Sequence, residues 1–292
     1  MRIFLTGATG FIGSALVPEL IKAGHQVLGL ARSDAGAESL AAAGADVHRG
    51  DLEDVDSLAR GAAKSDAVIH TGFIHDFSRF KEVCETDRRA IEALASPLAG
   101  SNRPLIITSG TGMGNAGAGT PASEDHFDPS HPNPRAVSEI TAASVAARGV
   151  DVRVVRLPQV HDPLKQGLIT YLVDLAREKG VSAYVGEGRN RWPAVHRFAA
   201  AQLYRLALEK GYAGARYHAV AEEGVPLQAI AEAVGRRLKV PVLSKSPEEA
   251  GAHFGWLAMF AAVDMPASSA LTQKRLGWRP TGPRLIADLD HG

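Results

Sequence analysis

The chain has 292 residues, 45% of them hydrophobic, and its 32 basic side chains are balanced by 32 acidic ones. Such a length and apolar content build one large domain, or a core domain with a smaller lobe, and exclude a disordered chain. The neutral balance leaves no global field to hold nucleic acid or an anionic membrane surface, so the expected partner is a small molecule.

From the amino end, "RIFLTG" reads as a buried strand, with no basic region and long apolar segment of a secretory leader before it. No stretch reaches the roughly 18 uninterrupted apolar residues of a spanning helix, so a soluble, cytoplasmic protein is expected. Next come "FIGSALVPELIKAG" as helix, "QVLGLAR" as strand, "GAESLAAAG" as helix, "ADVHRGD" as strand, "DVDSLARGAA" as helix and "DAVIHTG" as strand. Strict alternation of this kind builds βαβ units on a parallel sheet. A long helix over 77–98 carries the single cysteine, Cys84, which excludes an internal disulfide and reads as a buried thiol. The apolar strand "RPLIITSG" leads into a glycine-rich segment over 110–134, too long for a turn and expected to be a functional loop. The helix of "HPNPRAVSEITAA" and the strand "DVRVVRLPQV" follow, completing six strands. The fold class predicted is α/β, with a Rossmann-type doubly wound parallel sheet over residues 1–163. Beyond Val160 the regularity weakens. Helical stretches over 164–179, 198–210, 226–238 and 247–260 alternate with the strand candidates "SAYVG", "RYHAV" and "VPVLS", which read as a smaller α/β lobe over 164–292 that binds substrate.

"LTGATGFIG" places Gly7, Gly10 and Gly13 between a strand and a helix, the setting of a dinucleotide fingerprint. Glycines permit the tight turn there and let a pyrophosphate approach the backbone of Thr9, Phe11 and Ile12 at the positive end of the helix. After the second strand, "LARSD" offers Arg32 to a 2′-phosphate and Ser33 as a further hydrogen-bonding group, with Asp34 expected to cap the next helix. An acidic residue for the ribose hydroxyls is missing at that position, so NADP is expected rather than NAD. Asp51 and Leu52 of "RGDL" fall where an adenine would lie, and Thr71, Gly72 and Phe73 of "HTGF" fall along the cofactor's path.

The ordered set "TGATGFIG", "GDL", "VIHTG", "IITSG", "NPRAVSE" and "VVRLPQVHDP" resembles the extended short-chain dehydrogenase/reductase superfamily, in particular its epimerase/dehydratase branch. "GEGRNRWPAVH", "RYHAV" and "LGWRP" resemble its carboxyl-terminal lobe more loosely. The resemblance implies an NAD(P) site that also includes Pro158, and a homodimer formed through the long helix after the fourth strand and the helix that carries Arg135. It further implies a serine after the fifth strand and a Tyr-x-x-x-Lys pair that exchanges a proton with the substrate oxygen. Ser109 matches the serine, but Arg135 and Glu139 stand at the other two positions, so the chain is similar to the atypical subgroup that keeps the fold without this pair.

Arginine stays charged at working pH and cannot donate a proton, though it can stabilise an alkoxide or hold an anion. Glu139 lies one helical turn beyond Arg135, and can exchange protons if burial raises its pKa. The other reading of the two is an intrahelical ion pair, with Glu139 positioning Arg135. Met113, His161, Tyr171, Tyr184, Trp192 and His196 are candidates for the wall of a largely apolar substrate pocket, His161 and His196 also as substitute acids. Neither histidine has a second histidine or cysteine at ligand spacing, so no metal site is expected.

Three functions fit. The leading one is NADPH-dependent reduction of a carbonyl, imine or activated alkene on a fairly apolar small molecule. A non-catalytic NADP-binding sensor and a sugar-nucleotide epimerase or dehydratase are the others, and loss of the phenol counts against the last.

Overall fold

The computed structural model describes residues 1–117 and 119–291. Its first strand, β1 (Arg2–Thr6), is buried from Ile3 onward, and the apolar strands that follow are covered on both faces, as strands of a parallel sheet must be. α1 (Gly13–Lys22), β2 (Gln26–Ala31), α2 (Asp34–Ala42), β3 (Asp46–Arg49), α3 (Val55–Ala63) and β4 (Ala67–His70) follow in strict alternation. Helix starts are chemically marked. Ser33 caps α2 by accepting from the Gly36 amide, and Asp54 caps α3 by accepting from the Ser57 amide. Asp34 is therefore not the cap expected of it; it is the first residue of α2 and pairs with Arg49.

α4 (Phe80–Ala95), β5 (Pro104–Gly110), α5 (Ala136–Ala146) and β6 (Asp151–Leu157) complete the regular part. After β7 (Gln159–His161), α6 (Ile169–Lys179), β8 (Ser182–Val185) and β9 (Arg191–His196) the chain forms α7 (Arg197–Lys210) and β10 (Arg216–His218). The large sheet has seven strands in the order β10-β6-β5-β4-β1-β2-β3, every neighbouring pair parallel. This corrects two expectations. "RYHAV" supplies a seventh strand of the large sheet, where the smaller lobe was expected, and α7 covers that sheet beside α1, with Arg205 on Glu19 at 2.7 Å. Residues 197–218 thus pack with the dinucleotide-type half.

The remaining elements are β11 (Glu222–Pro226), α8 (Leu227–Leu238), β12 (Val242–Lys245), α9 (Pro247–Phe254), α10 (Ala258–Ala261), α11 (Ala270–Leu276) and α12 (Leu285–His291). A three-stranded sheet, β11-β9-β7, and the pair β12-β8 support the smaller lobe, whose core includes Ile169, Trp192, Ile230, Phe254 and Leu285. The chain then returns. Leu276 and Trp278 are buried in the core of the large sheet's domain, where the Trp278 indole donates to the Ala199 carbonyl at 3.1 Å. Among the described residues no helix is long and apolar enough to cross a membrane.

Candidate functional site

The order of the large sheet reverses between β1 and β4, and open parallel sheets bind ligands in the crevice beyond the carboxyl ends of such strands. The glycine-rich loop lies there. Gly7 has φ +68°, and a Cβ on it would approach the Gly72 amide nitrogen to 2.7 Å; a Cβ on Gly13 would collide with the Gly7 carbonyl. These two glycines are required by the folding of the loop itself. Gly10 is exposed, and together with Thr9, Phe11 and Ile12 it leaves the start of α1 open to an anion. The loop thus has the shape that a dinucleotide pyrophosphate needs.

Arg32 leaves β2 with its side chain 82% exposed, 3.8 Å from Asp51, so it is free to meet a phosphate. Ser33 spends its oxygen on the helix cap but keeps its hydroxyl hydrogen. Leu52 is half-buried and packs against the Gly72 position. Thr71 and Gly72 are tied back to β1: the Thr71 hydroxyl donates to the Thr6 carbonyl at 2.8 Å, and the Gly72 amide donates to Thr6 Oγ1 at 3.2 Å. Pro158 sits half-buried between β6 and β7. Arg197, the first residue of α7, lies over the Phe11 ring at 5.4 Å and pairs with Asp162 at 3.1 Å, which brings a second cation to the loop.

Below the crevice runs a polar network that reaches across three strands. Thr6 Oγ1 meets His70 Nδ1 at 2.6 Å, and His70 Nε2 meets Asp87 Oδ1 at 3.1 Å. Asp87 Oδ2 accepts from the Ser138 hydroxyl at 2.6 Å and from Arg135. Burial works against the Asp87 charge, but Arg135, His70 and Ser138 outweigh it and hold this carboxyl well below the usual range. Arg135 also donates to the Thr108 carbonyl at 2.8 Å, and its guanidinium lies 4.2 Å from the centre of the Phe73 ring.

Glu139 does not touch this network. Its carboxylate is fully buried between Arg156, which donates from Nε and Nη2 at 2.8 Å each, and Arg216, which donates from Nε at 2.7 Å. Burial pushes its pKa up, yet Arg156, Ser109 and Arg216 outweigh that and leave it below the ordinary carboxylate range. The ion-pair reading made from the sequence does not survive: Glu139 forms no ion pair with Arg135 and does not position it, and its carboxylate is held in its charged form by Arg156 and Arg216. Although the two are one turn apart on α5, Arg135 at the helix start reaches toward β4 and β5, whereas Glu139 reaches toward β6 and β10. Arg156 in turn donates to the Ser123 and His126 carbonyls, and the Arg216 guanidinium lies over Phe127, so the cluster fastens the stretch 123–127 to the sheet. Ser109, at the end of β5, is beside this cluster, with its hydroxyl buried close to the Glu139 carboxylate.

The substrate-wall candidates divide. Trp192 is wholly enclosed in the core of the lobe, and Met113 is 3% exposed, so neither faces an open cleft. His161 and His196 are also closed in: the His161 Nδ1 is 2.7 Å from Asp288, and the two rings meet edge-to-face at 5.7 Å. Tyr171 is in place. Its ring packs at 5.2 Å against Trp256 and at 5.9 Å against Phe77, while Phe77 and Trp256 stack at 4.6 Å. With Phe73, His75 and Phe80 these rings make an aromatic wall that runs from the end of β4 across to the lobe. Tyr184, outside this wall, packs on the lobe's core. Cys84 is buried as expected, its thiol pushed up to about 11 by burial. Among the described residues no group of three or more histidine, cysteine or acidic side chains could hold a metal ion.

Sequence reading missed Asp87, Arg156, Arg216, His75, Phe77 and Trp256. Asp87 left a trace, because it interrupts the buried stripe Val83, Ala90, Ile91 and Leu94 of α4, where a charge must find partners. Nothing local marks the others.

Residues 3–221 match the NAD dependent epimerase/dehydratase family. An uncharacterized protein of Schizosaccharomyces pombe is 51% identical over 99% of this chain and 98% of its own. The sterol-4-alpha-carboxylate 3-dehydrogenase (decarboxylating) of Dictyostelium discoideum is 28% identical over 72% of this chain and 68% of its own. The solved structure of a dTDP-glucose 4,6-dehydratase from Streptomyces venezuelae with NAD bound superposes with a TM-score of 0.78 at 20% identity, over 99% of this chain and 95% of that one. The glycine cradle, the crevice at the reversal of strand order and the match over most of the chain agree: it belongs to the NAD dependent epimerase/dehydratase family, whose chemistry is that of a nicotinamide-dependent oxidoreductase.

Proposed function

We propose that the protein is an NADPH-dependent reductase acting on the carbonyl, or a related imine or activated alkene, of a fairly apolar small molecule. The observation that carries this reading is the aromatic wall of Phe73, Phe77, Tyr171 and Trp256, whose Phe73 end directly follows Gly72, the residue packed against Gly7 of the glycine cradle. A sugar nucleotide needs polar and cationic partners; these rings offer apolar area. The sterol acid for which the Dictyostelium relative is named is likewise largely apolar.

When bound, NADPH supplies a hydride to the substrate carbon. Gly7, Gly10 and Gly13, with the amides of Phe11 and Ile12, would hold its diphosphate next to Arg197, and Arg32 with Ser33 would take the 2′-phosphate. Leu52 and Asp51 would border the adenine, and Thr71, Gly72, Phe73 and Pro158 the path to the nicotinamide. Arg135 clamps Phe73 and lends positive potential to the floor of the site, and Ser109 at the end of β5 would be the hydroxyl nearest the substrate oxygen.

The test is NADPH oxidation, followed by absorbance, over a panel of ketones, imines and enones that carry alkyl or ring substituents, with sugar nucleotides as the contrasting arm. Turnover of apolar carbonyls supports the reading, and turnover of sugar nucleotides alone overturns it. One observation favours a second reading, a non-catalytic NADP-binding protein: both Arg135 and Glu139 are committed to buried ion pairs. Tight NADP binding without turnover of anything on the panel would establish that one instead.

A further inference from the structure

The proposed reduction needs a proton at the substrate oxygen, and most titratable groups around the crevice are engaged elsewhere. Glu139 and Asp87 are held ionised by arginines, His161 is bound to Asp288, His196 is buried and caps α7 by accepting from the Phe198 amide, and Tyr204 is fully buried, with its phenol bonded to Thr108 at 2.6 Å. Asp76 accepts from the Ser78 amide and from Arg79, which hold it ionised too. Tyr171 is made a weaker acid by burial.

Among the described residues, His75 is a titratable side chain on the crevice side that is not engaged in this way. His75 follows Thr71, Gly72 and Phe73 at the mouth of β4, on the stretch along which the nicotinamide end of a dinucleotide would run. Its ring meets Phe73 edge-to-face at 5.4 Å and Phe77 at 6.3 Å, so it stands on the aromatic wall itself, while its surface stays exposed to solvent. Arg135 lies on Phe73 at 4.2 Å.

We propose that His75 is the proton donor of the reductase, standing in for the missing phenol. The inference rests on the reductase reading above. As hydride reaches the carbonyl carbon, the C=O π pair moves onto oxygen, and the protonated imidazole of His75 gives that oxygen its proton. The products are an alcohol, NADP and neutral His75, which regains a proton directly from solvent. In the reverse direction neutral His75 accepts the alcohol proton.

The groups that face His75 set the pH at which it works. Desolvation by the surrounding wall lowers its pKa, a backbone group of Phe73 works the other way, and the Arg135 and Lys165 charges lower it further. Asp76, next in the chain, is turned to Ser78 and Arg79. Reduction therefore speeds up as pH falls through a value below the ordinary histidine range, and alcohol oxidation speeds up as pH rises through it.

The experiment compares the parent, His75→Gln and His75→Tyr in single-turnover reduction across pH, with NADPH affinity measured by fluorescence and the His75 ring followed by NMR while NADP is added. Expected are a fall of about 10²-fold or more in His75→Gln with loss of the acid limb, NADPH affinity within about threefold of the parent, and partial rescue in His75→Tyr with the limb moved to alkaline pH. The His75 ring resonance should move on NADP addition and titrate below the ordinary range. A His75→Gln variant that keeps the parent's rate and acid limb overturns the proposal and leaves the reductase reading standing, and a ring resonance blind to NADP overturns it as well. A parent that turns over nothing on the panel removes the reductase reading, and the donor role with it.

Discussion

Replacing Glu139 by glutamine should unfold the protein more readily and leave its chemistry almost alone. The substitution keeps shape and one acceptor oxygen but removes the charge that neutralises Arg156, whose side chain is as fully buried as Glu139 itself. Removing one partner of a buried pair costs about 3–5 kcal/mol, because the other ion stays buried without compensation. The amide oxygen can still accept from Arg156, and Arg216, 24% exposed at its side chain, can turn toward water, so the expected cost is near the lower end. At about 2–4 °C per kcal/mol for a chain of 150–250 residues, that is a fall in Tm on the order of 10 °C. The pH dependence gives a second check. The folded-state pKa of Glu139 is depressed, so the pair's stabilisation is complete above the unfolded carboxyl value and is lost as pH falls through the folded one. The gap between parent and variant melting temperatures should therefore be widest near neutrality and close in acid. Differential scanning calorimetry at a series of pH values, with single-turnover rates on the same preparations, reads both effects. A Tm within about 2 °C of the parent, together with turnover reduced about 10²-fold, would refute the assignment of Glu139 to the scaffold.

Arg32→Ala should erase an NADPH preference of at least about tenfold, worth about 1.4 kcal/mol, as measured by fluorescence titration; equal affinity for NADPH and NADH in the parent would refute the role of Arg32. Arg135→Met should slow turnover by about 10²-fold and lower the Tm, since the buried Asp87 loses its principal cation. A lowered Tm with turnover within about threefold would make Arg135 purely structural. A homodimer is expected through α4 and α5, where Ile140 stays 42% exposed, and a monomer mass by light scattering at micromolar concentration would exclude it.

The features legible in the sequence are those written locally. Apolar runs, capping residues and the spacing of Gly7, Gly10 and Gly13 each lie within one or two elements, and they gave the parallel sheet and the cradle. The partners of Arg135 and Glu139 did not lie so close. Asp87 is 48 positions from Arg135, and Arg156 and Arg216 are 17 and 77 positions from Glu139, joined only when α5 settles across the sheet. Spacing of four on a helix states which side chains could meet, but each of these found a stronger partner on a strand or helix beneath. β10 was misplaced for a similar reason: three residues carry little periodicity, and the edge of β6 decides where they pair. The aromatic wall joins Phe77, Tyr171 and Trp256 from three distant stretches, each of which reads alone as ordinary core or surface.

The return of the chain to its first domain bears on how this protein can be dissected. Residues 3–221 carry the family match, but a fragment ending there is not a self-sufficient unit. It would lack Trp278 and Leu276, which fill the space against α7, and Thr272, whose amide and hydroxyl satisfy the buried Glu124 at 2.7 and 2.8 Å. It would also free His218 from the Ser268 carbonyl and Ala122 from its bridge to Ala267. Nonsense mutations or proteolytic nicks between α8 and α11 should thus damage the cofactor half of the protein as severely as the lobe in which they fall, and limited proteolysis should yield no stable amino-terminal core.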